Sequence, residues 1–341
     1  MKRFYINVQG GTGLNIALAS FISKVKEENP SKYEFYVCSP YYDVFESCEA
    51  VDGVYKPQEL KDLIFDAEAN NGELVLHRLY DMDGFVKKQL NYSEAWAKLM
   101  NIPWKEDDEK VPGTKATSIL NPMKKYPHLQ NSINTVMNTI REKGFEDFVI
   151  MQFWGGQSPL VQVPQGVGKD GKPFADWSKV PYTNIDNEPL KRVYPIEKAT
   201  EFVKQFREAH PKTAVILYSL PNEPNIDGTF KFVIPYLAYY ELAKLPACRG
   251  TVSIDSSLAH LVAGVTKSVV IWGHSKPKSF GYSYNKNIEQ KCRTDDLLYF
   301  SALGPSGAKI TYIEPEALLT EVTNYLELGE KKDENTESPA N

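Results

Sequence analysis

Apolar residues along the first eighty positions follow two patterns, short runs of strand length and longer stretches with helical spacing. Residues 3–8, 33–38 and 73–79 are apolar runs of strand length. Between the first two, apolar side chains recur three or four residues apart until Asn29-Pro30 ends the pattern. A further amphipathic helix is predicted over residues 84–100. Strands that alternate with helices in this way indicate a parallel sheet covered by helices.

A second series of the same kind follows an irregular, proline-rich stretch at residues 101–130 and a predicted helix over 131–143. Its predicted strands are 148–153, 213–218, 250–254 and 268–272, and its predicted helices are 196–210, 230–245, a short one from Ser256, and 315–328. We therefore predict an α/β protein with two open domains that face one another, residues 1–145 and 146–328, followed by a polar, disordered tail at 329–341. The site is expected at the carboxyl ends of both sets of strands.

The composition narrows the class of protein. The 341 residues are 42% hydrophobic and 24% charged, as in an ordinary soluble protein, and 39 basic against 44 acidic residues give a net charge of −5. This balance argues against a dedicated nucleic-acid binder. No apolar run has the length of a membrane span, no secretory cleavage site is visible, and the four cysteines form no CxxC pair. The five histidines lack metal-ligand spacing. We expect a cytoplasmic protein without a bound metal.

The first glycine-rich loop, Gly10-Gly11-Thr12-Gly13, lies between a predicted strand and a predicted helix. Glycines at this position let the backbone approach a ligand, and the helix start offers free amides. The dinucleotide fingerprint needs a third glycine and an acid about twenty residues later. Ile16 takes the place of that glycine, and the second strand ends at Cys38-Ser39 without a carboxylate. The loop is therefore not expected to hold a nicotinamide cofactor, and a tight turn that binds nothing is the alternative.

A second glycine-rich stretch, residues 166–173, nearly spells a phosphate-binding P-loop. Its last position must be Ser or Thr to hold magnesium, and it is Pro173. No predicted strand precedes the stretch and no predicted helix follows it. We interpret it as a hairpin or an exposed turn.

The most informative stretch is residues 250–277. An apolar strand delivers Asp255, Ser256 and Ser257 to a helix start, and His260 lies one turn further along. The serines can cap the helix while its free amides face an anion, and His260 can add a donor. The competing interpretation is a capped helix with a buried histidine, and the residues alone leave both open.

Together with the next apolar strand and the turn Gly273-His274-Ser275-Lys276-Pro277, this stretch resembles the donor-binding signature of glycosyltransferase family 9, the heptosyltransferase family of the GT-B fold. Residues 13–26, 74–81, 148–158 and 192–195 resemble other segments of the family in the same order. The resemblance spans most of residues 1–328, but only 250–277 is specific. It implies two facing Rossmann-like domains with parallel sheets, the first on the acceptor side and the second binding a nucleotide sugar.

The resemblance also implies an activity: inverting, metal-independent transfer of a sugar from a nucleotide-diphosphate donor to an acceptor hydroxyl. The donor diphosphate would lie on the amides of residues 256–259, with Arg192 neutralising its charge. Glu223 would accept from a ribose hydroxyl, or is only a solvated loop acid. The nucleotide sugar is the substrate, and no cofactor is implied. The implied donor-binding residues are Gly11, Gly13, Trp154, Gly155, Gly156, Arg192, Ser219, Glu223, Asp255, Ser256, Ser257 and His260.

The chain departs from the family at the residue that takes the acceptor proton. Family members usually carry an aspartate directly after the opening glycine, whereas this chain has Leu14 and Asn15. Asn15 can position a hydroxyl but cannot take a proton, so Asp81 is the first substitute, followed by Asp83 and Asp43. The acceptor is a glycan or a modified DNA base. The alternative function is a sugar-nucleotide-binding protein without catalysis.

Overall fold

The computed structural model describes residues 1–76, 79, 82–86, 90–104, 120–155, 165–167, 173–175, 193–221, 223–273, 275–292 and 310–328. These residues form two parallel β-sheets with covering helices, so the predicted α/β class is confirmed. Among the helices of these ranges, none has the length and apolar character needed to cross a membrane.

The first sheet has four parallel strands in the order β3-β2-β1-β4. Its strands are β1 Lys2–Asn7, β2 Tyr33–Cys38, β3 Gly53–Tyr55 and β4 Glu73–Val75. A short 3-10 helix, Pro57–Glu59, precedes α3. The helices up to the second sheet are α1 Thr12–Glu28, α2 Tyr42–Glu46, α3 Leu60–Ala69, α4 Asp83–Val86, α5 Tyr92–Leu99, α6 Pro122–Lys125 and α7 Leu129–Glu142.

The second sheet has six parallel strands in the order β12-β11-β10-β5-β8-β9. These strands are β5 Asp147–Gln152, β8 Thr213–Leu217, β9 Phe230–Lys231, β10 Cys248–Ile254, β11 Ser268–Trp272 and β12 Lys286–Glu289. The helices are α8 Ile196–Ala209, α9 Tyr236–Ala243, α10 Ser257–Leu261, α11 Pro277–Phe280 and α12 Pro315–Leu326.

Two small antiparallel pairs complete the described strands. One joins β13 Lys291–Cys292 to β14 Ile310–Thr311. The other joins β6 Gln165–Val167 to β7 Pro173–Ala175, on either side of the stretch that nearly spells a P-loop. The hairpin interpretation of that stretch is therefore confirmed.

Some element boundaries differ from the prediction for local reasons. The helix predicted over residues 230–245 begins only at Tyr236, because Phe230–Lys231 pairs with β8 as an edge strand and Pro235 occupies the N-cap. The helix predicted over residues 84–100 is described as two helices, α4 and α5. The prediction assigns α7 to the first domain, but this helix packs against α9 of the second half. The domain boundary near residue 145 therefore stays a prediction.

The two sheets share one continuous apolar core. Phe4 and Ile6 of β1 belong to the same buried cluster as Phe148 and Ile150 of β5. Helix α1 lies in this cluster and packs against α10 of the second half. The halves are thus packed against each other, with a partly open cavity left at the strand ends.

Two buried hydroxyl groups on neighbouring strands of the second sheet are hydrogen-bonded to each other. Thr251 of β10 and Ser268 of β11 lie opposite each other, are fully buried, and are joined by a hydrogen bond of 2.7 Å. We expect Thr251→Val to lower the free energy of unfolding by about 1–3 kcal/mol, because it leaves the Ser268 hydroxyl buried without its partner. The double variant with Ser268→Ala should lose less. Urea unfolding measures both, with the exposed Thr135→Val as a control. Equal losses in the single and double variants would contradict this account.

Candidate functional site

The carboxyl ends of strands from both sheets meet at one cavity of about 320 Å³. The first half contributes Thr12, which begins α1 after β1, and Tyr41, which follows β2. Ligands of open α/β sheets bind at this position. The second half contributes residues that follow β5, β8 and β10 or begin α9: Gln152, Gly155, Tyr218, Ser219, Leu220, Glu223, Ile234, Pro235, Tyr236, Tyr239, Ser256 and Ser257.

A second, larger depression of about 760 Å³ lies at the opposite end of the first sheet. It is open to solvent and is lined by Lys2, Tyr33 and Pro103 among others, at the amino ends of β1 and β2. The amino ends of parallel strands are not where such sheets bind ligands. The cavity between the halves is therefore the candidate site.

Four tyrosines form much of the cavity wall: Tyr41, Tyr218, Tyr236 and Tyr239. The rings of Tyr218 and Tyr239 meet edge to face, with their centroids 4.8 Å apart. The Tyr41 hydroxyl is buried beside Thr12, the other residue of the first half in the wall. No motif or periodicity predicted this wall, because its members come from different elements of both halves.

Asn15 is fully buried in α1, which corrects its expected role of positioning an acceptor hydroxyl. Its side-chain Nδ2 donates to the Gly11 carbonyl at 2.9 Å, and its Oδ1 accepts from the Ser39 hydroxyl at 2.6 Å. With both ends of its amide engaged, Asn15 fixes the glycine loop to the residue that follows β2.

The glycines of the loop do different work from that expected. A Cβ atom added to Gly13 would lie 2.5 Å from Cδ2 of His260, so Gly13 permits the close approach of α1 to α10 rather than contacting the cavity. A Cβ atom on Gly11 would meet nothing within 4 Å. Its part in donor binding stays a prediction, whereas Thr12 between the two glycines lines the cavity.

The start of α10 is fixed by Gln152 rather than by serine caps. Ser256 occupies the N-cap without a capping hydrogen bond from its side chain. Its hydroxyl accepts from Gln152 Nε2 at 3.2 Å, and Gln152 Oε1 accepts from the amide of Leu258 at 3.2 Å. The Ser257 hydroxyl donates to Tyr218 at 3.1 Å. The capping prediction was therefore wrong, although both serines line the cavity as expected.

Because the Leu258 amide is bonded to Gln152, and the Ala259 amide to the Ser256 carbonyl, the expected anion site on residues 256–259 is partly filled by the protein itself. Gln152 was not predicted as a functional residue. A polar side chain at the end of the buried strand β5 was the one available signal for it.

His260 is a packed histidine, as the alternative interpretation held. It is buried, its Nδ1 lies 2.8 Å from the Tyr282 hydroxyl, and its Nε2 lies 4.0 Å from Asp255 Oδ1. Its ring meets Tyr92 of α5 edge to face. His260 thus joins the two halves beside the cavity instead of lining it, and the buried Asp255 lies next to it in the second half.

Gly155 and Trp154 follow β5 and shape the second-half wall. A Cβ atom on Gly155 would lie 2.3 Å from the Ser256 hydroxyl, so only glycine lets these two segments approach. Trp154 is buried and forms an isolated bridge with Val193. This bridge brings the chain that follows residue 192 to the edge of the site.

Glu223 is the carboxylate of the cavity wall, and it is 8% exposed. Its Oε2 accepts from the Leu220 amide at 2.7 Å, and its backbone carbonyl accepts from Lys231 Nζ at 2.6 Å. Burial raises its pKa to about 7, although the Leu220 amide, Lys231 and Trp154 act in the opposite direction. Glu223 is therefore not the solvated acid of the competing interpretation. The nearby Ser219 hydroxyl is buried and has no partner in the described part of the chain.

Three predicted site residues, Asp81, Gly156 and Arg192, lie outside the described residues, as does the side chain of Asp83. The tail at 329–341 lies outside them as well. Asp43, the remaining candidate base, is half-buried on α2 and accepts a hydrogen bond from Tyr236 of the cavity wall. In the described ranges, no group of three or more His, Cys, Asp or Glu side chains is arranged to hold a metal ion.

Solved structures with a similar fold are found among glycosyltransferases. A glycosyl transferase family 9 protein from Veillonella parvula DSM 2008 has a TM-score of 0.62 and 11% identity, over 95% of this chain and 97% of that chain. The ADP-heptose lps heptosyltransferase II of E. coli has a TM-score of 0.56 and 11% identity, over 96% and 98%. This chain has the GT-B fold of family 9. The resemblance is thus confirmed in the fold, while no family model and no curated protein matches the sequence.

Substitutions of two neighbouring glycines test the Gly13–His260 joint, the close contact at which α1 packs against α10. We expect Gly13→Ala to lower the free energy of unfolding by about 1–3 kcal/mol, because the new methyl group must displace the packed His260 ring. Gly11→Ala is the matched control and should stay within about 0.5 kcal/mol of the wild type, because its Cβ points into open space. Chemical unfolding measures both. Equal effects of the two substitutions would show that Gly13 is not a packing constraint.

The raised pKa of Glu223 predicts how stability depends on pH. The native carboxyl has a pKa of about 7 against an ordinary value of 4.5, so the folded state holds this proton more tightly than the unfolded state. Stability from this group is full below pH 4.5 and is lost as the pH rises through 7, by about 3 kcal/mol. Glu223→Gln should remove this loss, whereas the exposed Glu208→Gln should keep it. Parallel pH profiles for wild type and Glu223→Gln would rule out the burial argument.

Proposed function

We propose that this protein is a glycosyltransferase that moves a sugar from a nucleotide-diphosphate donor to an acceptor hydroxyl. The observation that carries the proposal is the cavity at the carboxyl ends of strands from both sheets, with four tyrosines and one buried carboxylate among its described lining residues. Tyrosine faces can stack on a nucleobase, and a carboxylate can accept from ribose hydroxyls. A cavity at the strand ends that lacked these tyrosines and this carboxylate would indicate only that some small molecule binds there.

Within this proposal the polar groups of the second-half wall bind the donor. Glu223 accepts from a ribose hydroxyl, and Ser219 supplies a hydroxyl that the protein leaves unpartnered. Ser256 and Ser257 lie at the ends of β10 with Gly155 packed behind them, where a diphosphate can approach the start of α10. The resemblance assigns Arg192 to the diphosphate charge, and the next residue, Val193, bridges Trp154, which precedes Gly155 of the wall.

We also propose that the transfer inverts the anomeric centre and that a carboxylate takes the acceptor proton. Inversion needs one displacement and one group that takes the acceptor proton. Asp81 remains the proposed base, because it follows the strand predicted over residues 73–79 where the cleft is expected to open, and Asp83 and Asp43 come next. No metal is proposed, because hydrogen-bond donors and Arg192 can stabilise the leaving diphosphate.

We propose a glycan as the acceptor and a cytoplasmic location. The E. coli structure is named for a lps substrate, and the net charge of −5 does not favour DNA. Cys38, Cys48 and Cys248 are buried free thiols, which fits a reducing compartment.

A sugar-nucleotide-binding protein without catalysis is the second candidate, and Asn15 favours it. The position where the family usually carries its base holds a buried amide whose two ends are bonded to the protein. Turnover of a bound donor separates the two candidates, because a binding protein would saturate without releasing product.

The decisive test is a thermal-shift panel of ADP, GDP, UDP and CDP, each with and without EDTA. We expect one nucleotide to raise stability by about 2.7 kcal/mol at a hundred times its Kd, with no effect of EDTA. Loss of the shift in EDTA and its recovery with manganese would reject metal independence. The absence of a shift with every nucleotide would reject donor binding.

The corresponding nucleotide sugars then test catalysis. Asp81→Asn should lower kcat by about 10²–10⁴-fold while the donor Kd stays unchanged, because it removes the proton acceptor and keeps the volume. The anomeric configuration of the product, read by NMR, tests inversion. An unchanged kcat in Asp81→Asn would move the base to Asp43 or Asp83.

A further inference from the structure

The first and second halves are joined at the cavity wall by one polar contact. Tyr236 is the first residue of α9, where Pro235 occupies the N-cap, and its ring lines the cavity. Its hydroxyl donates to Oδ1 of Asp43, which lies on α2 of the first half. Asp43 itself does not line the cavity. The pair therefore reaches from the site into the opposite half of the molecule.

The residues around this contact are those that the first half brings to the cavity. Tyr41 lies two residues before Asp43, and its ring meets Tyr236 edge to face with the centroids 6.4 Å apart. Thr12 is the other first-half residue of the wall. The Tyr236–Asp43 bond thus ties the start of α9 to the segment that carries Tyr41.

The hydrogen bond between Tyr236 and Asp43 joins two half-buried side chains. Burial raises the pKa of Asp43, although the hydrogen bond from Tyr236 acts in the opposite direction, and raises that of Tyr236 more strongly, so the tyrosine keeps its proton and donates. The Val44 amide also donates to Asp43 Oδ1, at 3.1 Å. Hydrogen bonds to a charged acceptor are about twice as strong as neutral ones.

We propose that Tyr236 and Asp43 are a positioning pair that holds the two walls of the donor cavity together, so that donor affinity depends on a bond between the halves. The inference rests on the proposed donor binding. It adds that donor affinity depends partly on Asp43, which does not line the cavity and acts through its bond to Tyr236. Asp43 would make no contact with the donor. The pair differs from the Gly13–His260 joint, because that joint is held by packing and this one by a bond whose two ends can be removed separately.

The test is a double-mutant cycle on donor affinity. The probe is whichever of ADP, GDP, UDP or CDP stabilises the wild type most, and its Kd is measured by calorimetry well below each melting temperature. Tyr236→Phe and Asp43→Asn should each weaken binding about tenfold or more, and the double variant should be no weaker than the singles. Asp43→Ala should lose more than Asp43→Asn, which keeps a neutral acceptor.

The first half, which contains Asp43, also provides a matched control pair. The Tyr55 hydroxyl of β3 donates to Asp66 of α3 at 2.5 Å, and neither residue lines the cavity. Tyr55→Phe and Asp66→Asn remove a bond of the same chemistry and should leave the Kd unchanged. A merely structural role of Tyr236 and Asp43 would lower the melting temperature but not the affinity of the folded protein.

Three results would overturn the inference: an unchanged Kd in Tyr236→Phe, additive losses in the double variant, or equal losses in the control pair. If Asp43→Asn fails to fold, Tyr236→Phe decides alone, because it keeps the ring and removes only the hydroxyl. A wild type that binds none of the four nucleotides would instead reject the proposed function itself. A wild type that binds one while both variants keep its Kd would reject only the positioning pair.

Discussion

The close approach of α1 to α10 is the constraint on which the rest of the structure depends. It is possible because residue 13 is glycine, since any Cβ there would lie 2.5 Å from the ring of His260. The contact brings the carboxyl end of β1 opposite the carboxyl end of β10. Thr12 then faces Ser256 and Ser257 across the cavity. Two parallel sheets with separate cores would instead leave an open cleft with no shared wall.

The buried polar groups divide into two sets with different consequences. Those at the joint are satisfied by the protein: Asn15 is bonded to Gly11 and Ser39, and His260 lies within hydrogen-bond distance of Tyr282. Those at the cavity include the Ser219 hydroxyl, which has no partner in the described residues. An unpartnered buried hydroxyl is costly unless water or a ligand satisfies it. The first set holds the halves together, and the second set is available to a ligand.

The sequence predicted the fold where apolar runs were long and had clear ends. The bounds of β2 and β11 match the prediction, and α8 differs from it by one residue, because Pro195 and Pro211 flank its regular spacing. Short elements such as α2 and β9 were missed. A two-residue edge strand such as β9 has no periodicity to detect, and it forms only because β8 is beside it.

The site was predicted less completely, for a reason that lies in its construction. The chain segments near Gly155, Ser219, Glu223 and Ser256 follow strands of one sheet, and the family resemblance together with the rule that ligands bind at strand ends predicted them. Tyr41 and Tyr236 come from opposite halves, and only the packing of α1 on α10 brings them together. His260 was ambiguous because a buried histidine and a ligand-binding histidine have the same sequence context.

Hydrogen exchange with and without the stabilising nucleoside diphosphate tests most directly whether one ligand occupies a cavity built by both halves. The account predicts slower exchange in two separated groups of peptides, one covering residues 10–16 and 39–46 and the other covering 218–223, 234–240 and 254–259. Both groups should respond at the same nucleotide concentration. Protection confined to the second group would show that the first half takes no part in donor binding. That result would contradict the shared cavity as the site.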